Sequence, residues 1–173
     1  MSRVKTLILK KESVYLFGAF LILFAVSTLA PLIKQQAVTG TIVNATLFIT
    51  TVILGTQSAV FVAILPSVIS LAIGFLPSPL APMVPFIITS NIILVFVFGE
   101  LKKVNYWIGA VVASLLKFLF LFSTSSIVVN LILKEDLARK VALMMSWPQL
   151  FTALGGGAVA FLIFKIFKKY NGG

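Results

Sequence analysis

With 173 residues, 60% of them hydrophobic and 10% charged, the chain has a mean hydropathy of +1.16 and carries more apolar surface than a water-soluble domain of this size can hide. It contains no cysteine and no histidine, which excludes thiolate nucleophiles, disulfides, iron–sulfur ligation and the usual zinc sites. The net charge of +10 fits lysine and arginine held at a membrane face against anionic headgroups, so membrane lipid and not nucleic acid is the expected partner.

A helix needs roughly 20 apolar residues to cross a hydrocarbon core of about 30 Å, and runs of that order recur along the chain. The first, 13–33, follows a basic start (Arg3, Lys5, Lys10, Lys11) without a small-residue cleavage pattern, so it is expected to stay as a helix and not leave as a signal peptide. It ends at Pro31, and Lys34, Gln35 and Gln36 make an outer loop. The second, 40–55, is short; it opens on Thr39-Gly40-Thr41 and closes on a tight inner turn, Gly55-Thr56-Gln57-Ser58. The third, 58–76, contains Pro66, which must kink it or be accommodated by neighbours. Pro77, Pro79, Pro82 and Pro85 then stiffen an outer loop, because each restricts the residue before it.

The fourth run, 83–99, is also short and leads into the inner turn at Glu100-Leu101-Lys102-Lys103. The fifth, 106–133, is long and is interrupted by Ser123-Thr124-Ser125-Ser126. The charged stretch 134–140 reads as a short interfacial helix. The sixth run, 146–168, starts near Trp147-Pro148, where proline suits a first turn, and passes through Gly155-Gly156-Gly157, a helix crossing or a flexible joint. The expected fold is an all-α integral membrane protein: one transmembrane domain over 1–173, a compact bundle of six helices.

Six spans place both termini on one side. With the termini in the cytoplasm, that side holds Arg3, Lys5, Lys10, Lys11, Lys102, Lys103, Lys165, Lys168 and Lys169, against Lys34, Lys134, Arg139 and Lys140 outside. This is the bias of the positive-inside rule. No internal repeat is visible, which counts against an inverted-repeat carrier.

The acidic residues Glu12, Glu100, Glu135 and Asp136 all fall near helix ends or in loops. A carboxylate pair within the bilayer is therefore not expected, nor an enzyme, nor a resident cofactor. Polar amides distribute unevenly: Gln35, Gln36, Asn44, Asn130 and Gln149 lie in outer loops or outer half-helices, Asn91 lies near mid-depth, and Trp147 is at the outer face. Each amide alone can bond a neighbouring helix. As a group beside stiff loops, they suit a cavity that takes a small-molecule substrate from outside.

Lys117 falls roughly 16 Å into the bilayer, where a lysine costs about 2.5–3.5 kcal/mol on insertion scales. No carboxylate lies at matching depth, leaving three destinations: snorkelling, helix carbonyls, or an anionic group on a ligand. Small-xxx-small pairs at Ala59/Ala63, Ala110/Ser114 and Gly156/Ala160 permit close helix packing, and Ala19, Ser27 and Ala30 share a face of the first helix that suits a docking protein.

Over essentially its whole length the chain resembles the substrate-binding S components of bacterial energy-coupling factor transporters. The resemblance rests on size, six spans, inside termini, basic composition and the stiff loop Leu76-Pro77-Ser78-Pro79-Leu80-Ala81-Pro82. The stretches Thr39-Gly40-Thr41-Ile42-Val43-Asn44-Ala45-Thr46 and Met145-Ser146-Trp147-Pro148-Gln149-Leu150-Phe151-Thr152 look like signatures of that grade. It implies a multi-pass subunit of the bacterial plasma membrane that captures a vitamin-like or tetrapyrrole-like micronutrient. A transmembrane coupling subunit and two cytoplasmic ATPases would be its partners. It also implies a site at Gln35, Gln36, Asn91, Asn130, Trp147 and Gln149, with Asn44 nearby. The Ala-xxx-Ala docking motif common on helix one in that family is absent: Ala19 is followed four residues later by Leu23, and Ala25 by Leu29. The competing reading is a stand-alone channel or carrier acting as a homo-oligomer.

Overall fold

The structure, a computed structural model, describes the backbone of residues 2–75, 78–132 and 135–171 and the side chains of 12–75, 80–128, 139 and 141–167. Helix α1 (Ser2–Leu29) runs into a 3-10 turn, Ala30–Ile33, and is followed by α2 (Gln36–Ile53) and α3 (Gly55–Ala72). A second 3-10 segment, Ser78–Met83, leads into α4 (Val84–Leu101), then α5 (Tyr106–Ile132), the short α6 (Glu135–Met144) and α7 (Trp147–Asn171). Six helices are long and apolar enough to cross a membrane, and there is no strand among the described residues. Their outward faces are apolar as well: Phe17, Ile22, Phe61, Leu119, Phe151 and Leu162 are each more than half exposed. Such a surface is stable against lipid and not against water.

Helix α2 is the centre of the bundle, packing on α1, α3, α4 and α7. Its threonines can be buried because each satisfies its own hydroxyl one turn back: Thr46 donates to Ile42 O, Thr50 to Thr46 O and Thr51 to Leu47 O, at 2.7–2.9 Å. Leu47 and Phe48 on the same helix are fully buried, and Phe48 meets Phe98 of α4 edge to face at 4.6 Å. Phe98 makes a second edge contact with Tyr106, at 5.3 Å, and the Tyr106 hydroxyl donates to Gly157 O at 2.7 Å. Tyr106→Phe is expected to cost about 0.6–1.7 kcal/mol, the range for hydrogen bonds between membrane helices, read as a lowered melting temperature in detergent.

The glycine run marks a crossing. A Cβ at Gly156 would lie 2.6 Å from Asn44 Cβ and 2.7 Å from Ala45 N, so the backbones of α2 and α7 touch there. Through Gly155–Gly157 the helix continues unbroken. Ala59, Ala63, Ala113 and Ala160 are fully buried in the same core. At the end where the chain termini lie, Lys102 donates to Thr51 O, one of the last α2 carbonyls and so without an intrahelical partner. Burial, with the Lys103 ammonium beside it, holds Lys102 below the usual lysine range.

Several boundaries differ from the expected ones. Helix α2 begins at Gln36 instead of 40, its first turn being polar and therefore invisible to an apolar window. The expected four-residue turn shrinks to Leu54 alone between α2 and α3, with Gly55 at φ +84° supplying the reversal. Pro66 sits inside α3, buried, without ending the helix. The segment beyond the fifth span forms α6; Val141 and the adjoining Met145 pack with Leu80, Met83, Leu121 and Val128 as a second apolar cluster.

Candidate functional site

Successive helices alternate in direction, so six of them bring both chain ends to one end of the bundle. A cavity of about 480 Å³ occupies the other end. It is bounded by the final turns of α1 and α3, the opening turns of α2, α4 and α7, and the end of α6. Its volume lies within the roughly 300–1,000 Å³ of pockets that enclose small organic ligands. The walls are mostly apolar, with Val43, Val62, Phe75, Leu80, Ile87 and Met145 among them.

The floor is polar. Lys117 of α5, 3% exposed, donates from Nζ to Asn44 Oδ1 at 2.6 Å and to Asn91 Oδ1 at 2.7 Å. An ammonium only donates, so the atoms facing it must be the amide oxygens and both amide orientations are fixed. Asn44 sits eight residues into α2, about 12 Å along the axis, which places the cluster deep in the bundle. Its Nδ2 reaches Thr152 Oγ1 of α7 at 3.5 Å, so the cluster joins α2, α4, α5 and α7. Charge-assisted bonds of this kind are about twice as strong as neutral ones. Among the described residues no carboxylate pairs with Lys117.

The rim is closed by two glutamines. Met144 is the last residue of α6, so its carbonyl has no intrahelical donor. Gln36 Nε2 donates to it from α2, at 2.5 Å, and Gln149 Nε2 from α7, at 3.0 Å. Lys34, in the left-handed region at φ 57°, also stands at the mouth, its N–H bonded to Pro31 O at 3.0 Å.

Of the residues expected from sequence to bind substrate, Gln36, Asn44, Asn91, Lys117 and Gln149 line this one cavity. Gln35 is exposed at the start of α2 and does not line it. Trp147 is 61% exposed and stacks on Phe118 at 5.2 Å on the outside of the bundle, away from the cavity lining. The side chain of Asn130 lies outside the described residues. Of the expected docking face, Ser27 and Ala30 are buried, Ser27 lines the cavity, and Ala19 is half-buried.

Sequence reasoning missed Pro66, Ser67 and Ser70 of α3, together with Thr39 and Gly40 of α2, as cavity walls. A usable signal was present for Ser70: a hydroxyl late in a spanning helix, here donating to Thr28 O at 3.1 Å. No protein-family profile, curated protein or solved structure matches this chain.

Proposed function

We propose that this chain is the substrate-capture subunit of an energy-coupling-factor-type importer of the bacterial plasma membrane. Both termini face the cytoplasm, and the cavity faces outward. There it takes a small organic micronutrient, which a transmembrane coupling subunit and two cytoplasmic ATPases then help to release inside. The observation that carries this reading is the deep cavity at the end of the bundle opposite the termini, floored by Lys117, Asn44 and Asn91. The nine cations assigned to the terminal end favour that end as cytoplasmic. These 173 residues contain no phosphate-binding loop of the Walker type, and in this reading the ATPase partners supply the energy for release.

Affinity purification of the tagged chain from native membranes tests the reading. The expected result is recovery of a coupling subunit with two ATPases. Solute flux through liposomes containing this chain alone, with no ATPase recovered, would instead establish a free-standing channel or carrier. Gln149→Leu is expected to reduce the small molecule retained on native mass spectrometry while leaving expression and insertion intact. Gln36 still holds Met144 O in that variant, so the rim keeps one of its two ties. Retention equal to the parent chain would remove Gln149 from the site.

A further inference from the structure

The cavity floor is a cation without a counter-charge. Two of the three N–H bonds of Lys117 go to Asn44 and Asn91, and the third has no protein acceptor among the described residues. The one ion pair among those residues, Lys103–Glu100, is exposed at the opposite end of the bundle. Lys34 adds a second cation at the mouth, and no Asp or Glu lines the cavity among the described residues. Among the described residues, Ser27 Oγ on the cavity wall is buried without a hydrogen-bond partner, and Asn91 Nδ2 at the floor has none. The groups left without a partner beside Lys117 are a donor and a hydroxyl, whereas the free amide oxygens of Gln36 and Gln149 stand at the rim.

A tie between helices could be made from neutral amides alone, without the desolvation cost of a buried ammonium. A buried cation open to a solvent-facing cavity is better accounted for by a negative group that arrives from outside. We propose that the cavity takes an organic anion, with its carboxylate or phosphate seated on Lys117 beside Asn91. The ligand's apolar body lies among Val43, Phe75, Ile87 and Met145. This deepens the capture reading and rests on it.

The test uses the full chain in a neutral detergent, with Lys117→Met and Asn91→Asp beside it. The carboxylate introduced by Asn91→Asp keeps an acceptor for Lys117 and supplies an internal anion. That variant should leave the unliganded melting temperature equal to the parent's or higher while occupying the anion's place. The probes are the anionic and neutral fractions of a small-molecule extract of the source cells, read by thermal shift, with native mass spectrometry of what each protein retains. The anionic fraction is expected to stabilise the parent chain, and each variant to bind at least about tenfold more weakly, as loss of a charge-assisted contact implies.

Stabilisation by the neutral fraction, equal in all three proteins, overturns the anion while leaving capture standing. No stabilisation by either fraction overturns both. A fatty acid or phospholipid retained by the parent and lost from Lys117→Met upholds the anion site, with the bilayer as its source, and ends the nutrient reading. Asn91→Asp binding the anionic fraction as tightly as the parent also overturns the proposal, because Lys117 is then only a tie between helices.

Discussion

Gly156→Ala is expected to destabilise the protein by about 3 kcal/mol or more, the upper range for overpacking a site that cannot give. The added carbon would meet Asn44 Cβ at 2.6 Å and Ala45 N at 2.7 Å, and the second of these is backbone. No rotamer change relieves it; α2 and α7 must separate. Separation would also lengthen the contact between Asn44 and Thr152, already 3.5 Å. Gly155→Ala supplies the control. Its nearest neighbours are Thr41 Oγ1 and Cγ2 at 3.6 and 3.7 Å, ordinary contact distances, so the substitution is expected to be neutral or to gain up to about 1 kcal/mol from helix propensity. Melting temperature and monodispersity in detergent distinguish the two. Equal behaviour of the adjacent variants would remove the helix crossing as the reason for the glycine.

Asn44→Leu is expected to cost about 2–3 kcal/mol, because it strips one of two acceptors from a buried ammonium that has no carboxylate partner among the described residues. The diagnostic result is non-additivity. In the Lys117→Met background the same substitution should cost at least about 1 kcal/mol less, since no buried charge is then left short of acceptors. A double-mutant cycle on melting stability measures the difference. Additive costs would mean that Lys117 and Asn44 are adjacent without being coupled.

The spans were legible because lipid-facing helices are apolar all round, and that signal survives the loss of every other detail. Boundaries were less so: α2 extends four residues before its expected start through Gln36 and Thr39, whose polarity belongs to the cavity mouth and not to a loop. The depth of Lys117 could be counted from the sequence, but its partners could not. They come from α2 and α4, 73 and 26 residues away, and only the packing fixes which amides reach it. Trp147 misled for a related reason. An aromatic side chain at an interface suits a binding site and a lipid boundary equally, and helix rotation, which composition does not encode, turned it outward onto Phe118. Ser27 was read as part of an external stripe, because small residues on one helix face look alike whether that face meets a partner or a hollow.

The shared carbonyl of Met144 ties the end of α6 to two helices at once. One oxygen accepts from side chains of α2 and α7, so the end of α6 can leave the bundle only by giving up both carboxamides. Each bond uses its own lone pair, so either can be lost without the other. A solute that takes one glutamine therefore leaves α6 hinged on the remaining one, and this corner opens in two steps.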